Sequence, residues 1–228
     1  MVFIMENELR RPLKEGKKEL IPIPETNEAV EVEFVINDMV NVNETEKKQL
    51  EQLMRDFLAK GYAYIIQTVG ENIPISRKLL VEFTKKSGHR HQGTLMEVSI
   101  DHMRSVQTSD DPKIKELQQS LIIHEVLHNL DDAETFPMFI EIIYMLEQGQ
   151  SWRIDKYAEL KADGKFGPAY LKGLKQIAEW LNYSDIDELL QDIVNRDIVE
   201  LKSIFKKQIT LYCESDEILN KQMKIKAV

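Results

Sequence analysis

A run of apolar residues interrupted by two histidines and an acid sets the strictest condition on how this chain can fold. In "LQQSLIIHEVLHNL" (117–130), Leu117, Leu121, Ile122, Val126 and Leu130 recur at helical spacing, so the segment reads as a helix buried against a core. His124, Glu125 and His128 are carried in with it. Residues four apart stand one above the other on a helix, so both imidazoles face the same place. Polar groups buried in this way are unfavourable unless each is hydrogen-bonded or liganded. The fold must build a core around this helix and supply partners where the two rings meet.

A metal ion meets that condition. The spacing H-E-x-x-H lets His124 and His128 each direct a ring nitrogen at one ion, and it leaves Glu125 beside it as a general base for a bound water. Zinc is the ion that this donor set suits best, and manganese or iron also fit it. A catalytic zinc takes a third protein ligand. Asp131, Asp132, Glu134 and Glu141 are the candidates within reach along the chain. Asp131 has the better helix phase of the two aspartates but a short side chain. Glu134 lies six residues beyond His128, far enough for the helix to end and the chain to turn back. Glu141 is two helical turns further on, and between Ile140 and Ile142 it needs a partner of its own, such as a ligand histidine.

The surroundings divide into two halves. Residues 1–29 read as an extended lead-in, with "IPIPET" spacing two prolines. "VEVEFVI" (30–36) alternates as a strand, and "KLLVEFT" and "TLMEVSI" are further strands around a polar loop "KKSGHRHQG". Between them "NETEKKQLEQLMRDFLAKG" is a helix with Gly61 as its stop, and "YAYIIQTV" is a strand or a short buried helix. From Lys113 onward almost everything is helical, including "FPMFIEIIYMLEQG", a helix opening at Pro168, and one from 184 to 206 capped by Ser184. That last helix is amphipathic, which core packing explains, with a homodimer contact as the lesser option. The expected fold class is α+β: a small mixed or antiparallel sheet and the metal-bearing helix first, then a mainly helical half. The expected division is a lead-in (1–29), an α/β subdomain with the metal site (30–150), and a helical subdomain closing the cleft (151–228).

Composition narrows the functional classes. A formal net charge of -9 and scattered acids argue against nucleic acid as a partner. One cysteine, Cys213, excludes an internal disulfide framework or a cysteine-based zinc knot. Without a signal-like amino terminus or a long apolar stretch, the expectation is a cytoplasmic protein with no membrane partner. "DGKFGPAY" lacks the spacing of a phosphate loop. His89 and His91 would share a face if their loop were a strand, giving a metal or substrate contact, but a polar hairpin is the simpler reading. His102 reads as a surface or capping residue.

The motif carries a family resemblance. His124, Glu125 and His128 look like the catalytic helix of zincin metallopeptidases, in a gluzincin-like form. "DDAETFPMFIE" resembles the second zinc helix of the thimet oligopeptidase and oligoendopeptidase F family. That likeness covers about thirty residues. It implies Glu134 as the zinc glutamate and Glu141 as the supporting acid. The chain departs from the family at Leu127, where a glycine is usual, and in having only five residues between His128 and Glu134. That spacing is similar to the metzincins, whose third ligand stands at the place of Glu134. The resemblance further implies peptide-bond hydrolysis, with a tyrosine or a histidine stabilising the oxyanion; Tyr157, Tyr170 and Tyr183 lie in the right half of the chain. It also places "TLMEVSI" at the edge of the cleft, where an extended peptide would pair with it. A small-molecule amide hydrolase, or a metal-stabilised interaction module without catalysis, would use the same groups.

Overall fold

The computed structural model describes residues 16–71, 73–86, 88–130 and 133–215. Its front half is built on β2 (Ala29–Ile36), whose alternation puts Val30, Val32 and Phe34 inside and leaves Glu31 and Glu33 half-buried on the other face. β1 (Lys18–Pro22), inside the segment expected as a lead-in, pairs antiparallel along one side of it. On the other side β3 (Lys78–Thr84) runs parallel, followed by β5 (Leu95–Ser99), also parallel, and by the short β4 (Arg90–Gln92), antiparallel. The five-stranded order is β1-β2-β3-β5-β4. The sheet is therefore mixed, and β4, not the "TLMEVSI" strand, forms the edge on the side of the histidine motif. A polar hairpin loop was the simpler reading there because three residues carry too little periodicity to show a strand.

The crossover between the parallel strands β2 and β3 is α1 (Glu44–Val69). Asn43 caps it by accepting from Glu46 N–H, with Glu44 and Glu46 in the first turn. Gly61 does not end it. The apolar face continues through Tyr62, Ile65 and Ile66, all buried, and their burial outweighs the roughly 1 kcal/mol that a mid-helix glycine costs. "YAYIIQTV" is accordingly the second half of one helix. α2 (Ile100–Thr108) follows β5 directly, a short helix the sequence reading passed over.

Asp111 caps α3 (Pro112–Leu127), the helix that carries the motif, and Gln119 Nε2 of α3 donates to Phe57 O of α1. α4 (Thr135–Glu147) is buried all round from Thr135 to Met145 and lies against α3, α6 and α8. α5 (Trp152–Ala162) and α6 (Pro168–Trp180) pack on it from one side. The segment read as one helix over 184–206 is two. α7 (Ile186–Asp192) is capped by Asp185 rather than Ser184, and α8 (Ile198–Glu214) restarts at Asp197, whose carboxylate accepts from Val199 and Glu200 N–H. A second strong cap inside an amphipathic run breaks it where the backbone donors are better satisfied by restarting. The architecture is α+β, an amino-terminal mixed sheet followed by a mainly helical region, consistent with a zincin-like fold. No helix of the described residues is long and apolar enough to cross a membrane.

Candidate metal centre

His124 lies in the last turn of α3, and His128 occupies the position just past its end with the backbone still helical. The two rings meet edge to face, with Nε2 to Nε2 at 3.2 Å. Glu134, immediately before α4, brings Oε2 to 3.1 Å from His124 Nε2 and 3.6 Å from His128 Nε2. Among the described residues these three form a group whose donor atoms lie within 4.8 Å of one another. Asp131, with Asp132, lies outside the described residues.

The triangle fits a metal in size and chemistry. Ligand atoms around a tetrahedral zinc at about 2.0–2.1 Å stand about 3.3–3.4 Å apart, the range that these three edges straddle. Glu134 Oε2 is shielded from solvent, yet it takes no hydrogen bond of acceptable geometry. Two ring nitrogens and a carboxylate oxygen converge on one point, which is unfavourable unless a cation or a proton sits among them. Two imidazoles and a carboxylate suit zinc.

Behind His124 stands Glu141, wholly buried on α4, with Oε2 3.0 Å from His124 Nδ1. With Nδ1–H donated to Glu141, Nε2 is the ring nitrogen that faces His128 and Glu134. Tyr157 O–H donates to the same Oε2 at 2.8 Å, and Arg153 Nε–H donates to Oε1 at 3.0 Å. The Arg153 guanidinium also lies 5.0 Å from the Tyr157 ring centre. Arg153 was not singled out in the sequence. It sits twelve residues beyond Glu141, across a turn, and no local pattern links the two.

The electrostatics follow from burial and neighbours. Burial pushes the His124 ring pKa down, but the nearby Glu134 and Glu141 carboxylates more than reverse it and hold it up to about 10. Burial raises Glu141, yet the Arg153 charge and the bonds from His124 and Tyr157 bring it down to about 2. Glu134 is likewise raised by burial and lowered by the two histidines to about 2. Burial raises the Glu125 carboxyl above its ordinary range, against the opposing charges of His124 and His128.

The three tyrosines separate. Tyr157 is buried and committed to Glu141. Tyr183 bonds Asp192 and Arg196. Tyr170, in the first turn of α6, stacks on His124 with ring centres 6.5 Å apart and remains 38% exposed. Burial, then the charges of Glu134, Glu125 and Glu141, push its hydroxyl up to about 12.

The five histidines form one connected set of neighbours along α3. His89 bonds Gln118 Oε1 through Nε2 at 2.8 Å, accepts from Ser99 N–H and meets His102 edge to face. His91, on β4, lies beside Asn129 and within charge range of His128. Burial holds both His89 and His91 down to about 4. Gly173 of α6 packs against the backbone of Glu134.

No known family model matches this chain, and no curated protein does. Among solved structures it is similar to the crystal structure of a point mutant of the M1 zinc metallopeptidase from Deinococcus radiodurans. The identity is 14% and the TM-score 0.41, over 86% of this chain and 49% of that one. The chain thus spans about half the length of that protein.

Proposed function

We propose that this chain is a zinc-dependent hydrolase of peptide bonds, with His124, His128 and Glu134 as the metal ligands and Glu125 as the general base. The observation that carries this reading is the convergence of three donor atoms at 3.1, 3.2 and 3.6 Å on a helix bearing H-E-x-x-H, with a shielded carboxylate oxygen left without a hydrogen bond. When bound, the ion would supply Lewis acidity for a carbonyl and lower the pKa of a coordinated water.

The chain's own residues do the rest. Glu125, whose pKa is raised by burial, accepts the water proton as the nucleophile forms and returns it to the leaving nitrogen. Glu141 holds His124 in the tautomer that leaves Nε2 free for the ion, and Arg153 and Tyr157 keep Glu141 ionised and aimed. Of the three tyrosines, Tyr170 is the one at the site with none of the described residues taking its hydroxyl, so we assign it the hydrogen bond to the oxyanion. In this scheme the portion over 30–150 supplies the metal ligands and base, and the helical portion over 151–228 closes the site through Arg153, Tyr157 and Tyr170.

The test is Glu125→Gln in zinc-loaded protein, assayed on blocked peptides with metal content measured in the same sample. Retained zinc with hydrolysis lost by several orders of magnitude supports the scheme. Full activity in that variant sinks it. A His124→Ala protein that keeps its zinc overturns the ligand assignment.

A further inference from the structure

The segment "DGKFGPAY" (163–170), which lacks a phosphate-loop pattern, joins the two helices that bring Arg153, Tyr157 and Tyr170 to the metal centre. α5 ends on a left-handed glycine. Gly164, at φ +64°, donates its N–H to Lys161 O at 3.0 Å, and Lys165 N–H donates to Leu160 O at 2.9 Å. α6 opens with Gly167 at its cap and Pro168 in its first turn. Phe166 therefore sits on a short connection whose backbone is fixed on both sides.

Its half-buried ring meets two others edge to face. The Tyr157 ring centre is 5.5 Å away at 85°, and that of Tyr170 is 5.5 Å away at 82°. Both are favoured arrangements for aromatic pairs. The two tyrosines are held very differently. Tyr157 is buried, bonded through its hydroxyl to Glu141 and covered by the Arg153 guanidinium. Tyr170 is 38% exposed, and its other ring contact among the described residues is the wider stack on His124, at 6.5 Å. An exposed side chain without such backing changes rotamer on a timescale of nanoseconds or less.

We propose that Phe166 is the positioning residue for Tyr170, carrying the fixed place of Tyr157 across the α5–α6 connection so that the Tyr170 ring stays on His124. The contacts close a circuit. Glu141 bonds both His124 and Tyr157, Phe166 meets Tyr157 and Tyr170, and Tyr170 lies back on His124. The catalytic consequence rests on the peptidase reading, in which Tyr170 donates to the oxyanion. A donor stabilises a transition state best when it is already aimed, so loosening Tyr170 slows the chemical step.

The test compares zinc-loaded full chains on blocked peptides: wild type, Phe166→Ala, Phe166→Tyr, Tyr170→Phe and the double variant Phe166→Ala with Tyr170→Phe. Removing the hydroxyl in Tyr170→Phe should lower kcat about a hundredfold. Phe166→Ala should lower kcat about tenfold at full zinc content with KM unchanged, as loss of an interaction made only in the transition state does. Phe166→Tyr, which keeps the ring, should restore most of that rate. In the Tyr170→Phe background the Phe166 change should cost nothing further. Phe166→Leu takes the place of Phe166→Ala if the alanine variant does not fold, with the same pattern expected at smaller scale. An unchanged kcat, or an equal loss with and without the Tyr170 hydroxyl, overturns the inference and leaves the peptidase reading standing. Should the wild-type chain bind zinc but hydrolyse nothing, the peptidase reading fails alone. Nuclear Overhauser contacts between the Tyr170 and His124 rings then decide this one. Their presence in the wild type and loss in the Phe166 variant uphold it, and their persistence in the variant, or absence from the wild type, overturns it.

Discussion

A methyl group added at Gly173 would come within 3.2 Å of the carbonyl carbon of Glu134 and 3.3 Å of its Cβ. α6 therefore presses on the residue that delivers the one carboxylate of the His124–His128–Glu134 group, and the glycine is what lets it press so closely. Gly173→Ala should move Glu134 by a few tenths of an ångström and lower zinc affinity about tenfold, the low end for changes next to a ligand. Zinc competition titration beside a thermal scan checks this. A large loss of stability with unchanged affinity counts against it.

Arg153 neutralises a carboxylate that has no access to water. Arg153→Met should cost about 3–5 kcal/mol, as breaking a buried pair from one side does. Arg153→Met combined with Glu141→Gln should recover much of that loss, because the stranded charge is then gone. Urea denaturation of the single and double variants in the metal-free state measures it.

Zinc must displace a proton. With His124 held up to about 10, the metal-free ring is protonated at neutral pH, and binding should release about one proton there. Apparent affinity should therefore rise with pH toward 10. Calorimetry in buffers of different ionisation enthalpy reads the proton directly, and an enthalpy independent of buffer contradicts the charge state.

His89 gives a stability change away from the ligands. Its pKa is about 4 in the folded chain, pushed down by burial, against 6.5 for the ordinary group. Its contribution is full above pH 6.5 and is lost as pH falls through about 4. The loss is on the order of 3 kcal/mol. His89→Gln, which can still bond Gln118, should flatten stability against pH over that window, as read from urea midpoints.

Much of the fold could be read from the sequence, because period-two alternation in "VEVEFVI" and the apolar stripes of α1, α3 and α4 are local properties. What escaped depends on tertiary context. Gly61 looked like a helix stop until the buried face running past it is counted, and β4 exists only because β5 lies beside it. At the site, the meeting of His124 and His128 could be read from their helical spacing, whereas spacing left Asp131, Asp132, Glu134 and Glu141 all open and the family resemblance alone pointed to Glu134, which the structure brings beside the two histidines. Arg153 and Gly173 could not be read in this way, since each acts through a neighbour brought up by folding. Choosing Tyr170 among three tyrosines likewise took knowing that Tyr157 and Tyr183 are engaged elsewhere.

The gathering of all five histidines into one set of neighbours along α3 has a practical consequence for spectroscopy. A chain with no imidazole anywhere else carries its own label. Every histidine ring signal in a nitrogen-15 or proton spectrum comes from within this one neighbourhood, with no background from the remaining helices or the far edge of the sheet. Loading with metal, exchange of ring protons and arrival of a peptide can then be followed together on the unaltered protein, without a tag or a substituted residue.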